Sequence, residues 1–173
     1  MITKSDLKDT EFSAYHGIYI NKLEDRMKLR EGFETGKQDC ISFFESIPED
    51  KLTYRYAPEK WNIKEILQHL IDAERIFMYR CFRIARNDKT PLAGFDQDIY
   101  ILPSNATHKT REALIDEYNS VRQSFISLLN SLDDAQLHYM GTASGGTLSA
   151  RTIAFVTLGH ERWHTDIIKE RYL

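Results

Sequence analysis

Apolar residues recur along this chain at intervals of three and four, the spacing that places side chains on one face of a helix. Between about residues 22 and 47 they are Leu23, Met27, Phe33, Cys40, Ile41, Phe44 and Ile47, and Pro48 ends the run. Gly32 and Gly36 weaken this helix, so a kink or a close helix–helix approach is expected there. The second helix has the clearest start. Asn62 can cap, Glu65 is its capping-box partner, and Trp61 and Ile66 occupy the staple positions. Ile63, Ile66, Leu67, Leu70, Ile71, Ile76, Phe77 and Phe82 carry its stripe to Asn87, where Asn87-Asp88-Lys89-Thr90-Pro91 stops it. A third helix spans about 110–132 on Leu114, Tyr118, Val121, Phe125, Leu128, Leu129 and Leu132. The last begins near Thr147 or Ser149 and runs to the C-terminus.

The connections are as informative as the helices. Residues 1 to about 22 hold Phe12, Tyr15, Ile18, Tyr19 and Ile20, which predict a short helix or arm packed on the body. Residues 48–61 read as a turn-rich linker and Gly141–Gly146 as a Gly-rich turn. The 88–108 connection is long for a compact domain, and such loops tend to be functional. It also suits a crossover between helices that are not hairpin neighbours. No sustained period-two alternation, hairpin signal, phosphate-binding glycine loop or short repeat appears. The expectation is all-α: a four-helix bundle with a long crossover loop between helices 2 and 3, in one domain over residues 1–173.

Composition narrows the function classes. The chain is 42% hydrophobic and 28% charged, ordinary for a soluble globular protein. A net charge of −3, with basic and acidic residues interleaved, makes no electrostatic case for nucleic acid or an anionic membrane. The N-terminus lacks a signal-peptide core, and no apolar run approaches the ~18 residues of a membrane span. A cytoplasmic protein is expected. Cys40 and Cys81 lie far apart with no C-x-x-C pattern and read as buried free thiols.

Candidate chemistry enters at Gly159-His160-Glu161-Arg162-Trp163-His164. His160 and His164 form H-E-x-x-H, two imidazoles on one helix face, as in zinc peptidases with the glutamate as base. Both continue the apolar stripe of Ile153, Val156, Trp163 and Ile167, where core residues belong. Such peptidases take a third ligand downstream, in one class a histidine about six residues beyond the pair. Here that position is Glu170, and nine residues follow His164. The third ligand is therefore expected upstream, and His69, near the face of Ile66, Ala73 and Ile76, is the best candidate. Three buried neutral imidazoles are awkward to satisfy apart, whereas a shared cation satisfies all three.

The run Trp61–Arg75 around His69, the loop Gly94-Phe95-Asp96-Gln97-Asp98 and the terminal Gly159–His164 together resemble the DinB/YfiT-like superfamily. The resemblance covers nearly the whole chain. It implies a bundle of up-down-down-up connectivity and a divalent metal, usually nickel or zinc, held by His69, His160 and His164. It implies homodimers, and a small-molecule substrate handled as a metal-dependent hydrolase or as a transferase using a low-molecular-weight thiol such as bacillithiol or mycothiol. A non-catalytic metal-binding, sensing or structural bundle is the alternative.

Three histidine ligands leave a coordination position open, the catalytic pattern, from which water or a thiolate can be activated. Glu161 is rotated about 100° from His160. It is a candidate base at the rim, against the plainer reading of a solvated glutamate. Asp72 and Glu74 are candidate acceptors for imidazole N–H groups, or else ion-pair partners. Arg80, Arg83 and Arg86 are candidate contacts for an anionic substrate, against a solvated charged face. Asp96 and Asp98 line a cavity mouth or cap a turn. His16 reads as a surface or satisfied histidine, and His108 and His138 are not assigned as ligands.

Overall fold

A computed structural model describes residues 1–173. In chain order the helices are α1 (Ala14–Ile20), α2 (Leu29–Ser46), α3 (Ile63–Ala85), α4 (Asp98–Ser104), α5 (Arg111–Asn130), α6 (Asp134–Leu137) and α7 (Ala150–Arg171). A hairpin of β1 (Met140–Ala143) and β2 (Gly146–Ser149) precedes α7. The four long helices α2, α3, α5 and α7 form the bundle.

Their directions follow from which residues meet. Arg30 at the start of α2 donates to the Leu129 carbonyl near the end of α5, and Arg111 at the start of α5 donates to Ile47, so these helices are antiparallel. Gln68 meets Glu117 and Glu74 meets Arg122, so α3 and α5 run the same way. His69 meets His160 and the Cys81 thiol donates to the Ala150 carbonyl, so α7 opposes α3. The bundle is therefore up-down-down-up. Because α3 and α5 are parallel, the chain must return along the bundle between them, which is what the long connection does. That connection carries α4 and a 3-10 turn at Ala106–His108.

Local signals explain the boundaries. The Asn62 side chain accepts from the Glu65 N–H at 2.9 Å while Glu65 accepts from the Asn62 N–H at 2.8 Å, the expected capping box. Asn87, with φ of 61°, ends α3 in the left-handed conformation. The caps of α5 and α7 are Thr110 and Ser149. The helix expected from residue 22 starts instead at Leu29. The N-terminal chain uses that backbone: Lys4 N–H donates to Met27 and Leu29 N–H to Ile2, both at 2.9 Å. α2 is continuous through Gly32 and Gly36, and Gly32 serves close approach: a Cβ there would lie 3.1 Å from Leu158 Cδ1.

The hairpin corrects the reading that no strand pair is present. Ser144 and Gly145 turn it at φ of 51° and 77°, the positive angles a two-residue turn needs. Its strands are four residues each and rich in Gly, Thr and Ala, too short and too small to display alternation. Apolar packing forms one group around Phe33, Phe125 and Phe155 and another around Phe44, Leu70 and Tyr118. Cys40 and Cys81 are free and buried. No helix is long and apolar enough to cross a membrane.

Candidate metal centre

His69 sits two turns into α3, and His160 and His164 lie one turn apart on α7, facing it. All three are buried. The Nε2 of His160 lies 3.0 Å from that of His69 and 3.1 Å from that of His164. Three ring nitrogens, one per residue, fall within 4.8 Å of one another. Aromatic rings hold the imidazoles: Trp61 packs on His69 at 4.8 Å, Trp163 edge-on to His164 at 4.7 Å, and Tyr19 and Phe77 on His160 at 5.2 and 5.7 Å. Gly159 makes the Tyr19 contact possible, since a Cβ there would lie 2.2 Å from the Tyr19 carbonyl oxygen.

These surroundings set the protonation state. Burial pushes His69 down to about 4. It pushes His160 and His164 well below the usual imidazole range, and neighbouring rings add to the effect. The neutral imidazole is the form that binds metal. Each Nε2 has one in-plane lone pair or one proton. The His160 nitrogen therefore cannot satisfy both neighbours well by hydrogen bonding, whereas one cation serves all three. Nitrogens about 2.1 Å from a tetrahedral ion sit about 3.4 Å apart, so the two pairs made by His160 need only a few tenths of an ångström of opening. The donor set fits a divalent ion.

The other candidates are placed as follows. Glu161 is neither solvated nor turned to the imidazoles. Its Oε2 accepts from the Tyr118 hydroxyl at 2.6 Å and from Arg122 Nη2 at 2.7 Å. Arg122 also grips Glu74 through Nε and Nη2, at 2.6 and 2.8 Å. Glu74 is thus an ion-pair partner, as is Asp72, which accepts from Arg75 at 3.0 Å and from Gln68 at 3.1 Å. Neither carboxylate reaches His69. Arg83 binds Asp88 and Tyr79, and Arg86 is exposed over the Phe82 ring, so both belong to the surface.

A cavity of about 630 Å³ opens beside His160, with Asp96 and Asp98 on its wall. Its roof is α1, whose Tyr15, His16 and Tyr19 line it. His16 is half-buried and bonded through Nδ1 to the Ser13 hydroxyl at 3.0 Å. Burial lowers its pKa, with the charge of Arg80 adding to the shift. Periodicity cannot show that α1 docks here; the only local signal is the glycine directly before His160.

Residues 33–168 match the sequence model described as the DinB superfamily. A solved structure is similar over 82% of this chain and 82% of its own, with a TM-score of 0.72 at 15% identity. It is YfiT from Bacillus subtilis, described as a probable metal-dependent hydrolase with an unusual four-helix bundle topology. No curated protein matches the sequence.

Proposed function

The chain belongs to the DinB superfamily, and from that premise we propose that it is an enzyme that holds a divalent metal on His69, His160 and His164 and acts on a small molecule in the adjoining cavity. One observation carries the reading. Three buried imidazoles bring one ring nitrogen each within 4.8 Å of the others, and His160 is also part of the cavity wall. A structural site would be sealed on all sides, whereas a wall shared with a cavity lets a substrate reach the ion. YfiT's description as a probable metal-dependent hydrolase supports the reading.

A bound divalent ion would supply Lewis-acid activation of a carbonyl, a water or a thiolate. The protein's own residues do the rest. Burial keeps the imidazoles unprotonated, so they bind a cation near neutral pH. Trp61, Tyr19, Phe77 and Trp163 fix the ring planes and keep bulk water away from the His side chains. With Glu161 engaged by Arg122 and Tyr118, proton transfer falls to His16, which makes no hydrogen bond through Nε2 and lines the cavity. Nickel and zinc both suit three imidazole ligands. Both hydrolysis and transfer to a low-molecular-weight thiol fit this constellation.

The test is turnover by full-length protein loaded with nickel or zinc. Thiols such as bacillithiol and mycothiol are offered with electrophiles, and esters and amides are offered alone. Activity with one class, abolished by His164→Ala, is expected. No turnover of any substrate by protein shown to carry metal would defeat the enzymatic reading.

A further inference from the structure

Three arginines are buried in this protein, Arg80, Arg122 and Arg151. Arg122 is neutralised by Glu74 and Glu161, and Arg151 by Glu11. Arg80 has no such partner. Its Nη2 donates to the Ala93 carbonyl and the Ser144 hydroxyl, both at 2.8 Å, and Phe95 packs 5.5 Å from the guanidinium carbon. No carboxylate comes within ion-pair distance of it. Burying an uncompensated charge is costly, and such charges are normally paired. Arg80 lines the same cavity as His160.

The cavity's shape gives the missing partner a position. Ala73, Phe77 and Arg80 recur along one face of α3, and Ile153, Val156 and His160 along the opposing face of antiparallel α7. Two helical turns, roughly 10 Å, separate Ala73 beside the imidazoles from Arg80 at the far end. The wall between them is apolar. Asp96 and Asp98 also line the cavity but are exposed, and Asp96 accepts from the Asp98 N–H at 3.0 Å. Their charge is screened by solvent more fully than that of Arg80, which is the more buried group.

We propose that the substrate is an elongated small molecule with an apolar body and a terminal oxyanion, a carboxylate or its equivalent, which binds Arg80 while the reacting end lies at His160. This inference rests on the proposed function for the identity of the reacting end, but the Arg80 contact does not require a metal. Arg80 acts here as a specificity residue: it would anchor the end of the molecule that does not react.

The test compares hydrocinnamate with its neutral amide, titrated calorimetrically into the full-length protein as purified. The acid is expected to bind at least about tenfold more tightly, the worth of one charge-assisted contact. That preference should disappear in Arg80→Gln, persist in Arg80→Lys, and survive in His69→Ala. Survival in His69→Ala separates this contact from the metal centre. A preference lost in His69→Ala but kept in Arg80→Gln would put the carboxylate on the metal and overturn the proposal. So would equal affinity of acid and amide for the wild-type protein. Should Arg80→Gln not fold, the Arg80 Nε–H resonance of the wild-type protein decides. It should shift on adding the acid and not the amide, and no shift overturns the proposal.

Discussion

Imidazoles surrounded by aromatic rings, with no carboxylate bonded to them, have little to stabilise their protonated form. That gives the apoprotein a defined acid sensitivity. His69 is held at about 4 in the folded chain against an ordinary 6.5. Its folded pKa is depressed, so the stability linked to the neutral ring is complete above 6.5 and is lost as pH falls toward 4. Chelator-treated wild-type protein is expected to lose melting temperature across that window more steeply than His69→Phe; equal slopes would mean the ring is not held neutral. His16 makes a different prediction. His16→Gln should lower kcat of the metal-loaded enzyme about a hundredfold, the lower end of what one proton-transfer group contributes, with metal content unchanged. Unchanged kcat would remove His16 from the chemistry. The three clustered histidines were legible in the sequence because two share a helix face and the third sits on an apolar stripe. His16 was not, because nothing in its own segment says which helix it meets.

Helix by helix, the site depends on two close contacts. Gly159 allows the carbonyl at the end of α1 to approach α7, which sets Tyr19 against His160 and roofs the cavity. Gly159→Ala would force a Cβ to 2.2 Å from that backbone oxygen, which cannot swing aside as a side chain would. A loss of about 3 kcal/mol, seen as a lower denaturation midpoint, is expected, together with weaker ligand binding. Arg122 is the second contact. From α5 it ties Glu74 on α3 to Glu161 on α7, with its side chain fully buried. Arg122→Met should cost about 3–5 kcal/mol by leaving the Glu74 and Glu161 carboxylates buried without a counter-charge, whereas Arg122→Met with Glu74→Gln and Glu161→Gln together should cost less than the sum of the single changes. Additive losses would show that the three groups do not act as one network. The ends of α3 were readable, since Asn62 with Glu65 and Asn87 each act within a few residues. The partners of Glu74 and Glu161 were not. An acidic residue on a helix looks alike to periodicity whether it faces solvent or an arginine on another helix.

For the whole molecule, the number of long helices and the crossover loop could be read from four apolar stripes and the length of the 88–108 connection. The hairpin could not, because Gly, Thr and Ala in four-residue strands leave no alternation to see. Up-down-down-up connectivity matters for function. It sets α3 antiparallel to α7, so His69 meets His160 and His164 while Arg80 is carried to the opposite end of the same groove. The proposed function depends on a cation held between α3 and α7 at one end of that groove, whereas the Arg80 contact depends on the groove alone. Elemental analysis of the purified full-length protein, after dialysis against nickel or zinc and removal of loosely bound ion, tests for that cation most directly. One tightly held divalent ion per chain is predicted, lost in His69→Ala, His160→Ala and His164→Ala while the fold is kept. Wild-type protein that holds no ion, or a His69→Ala variant that keeps it, would contradict the account.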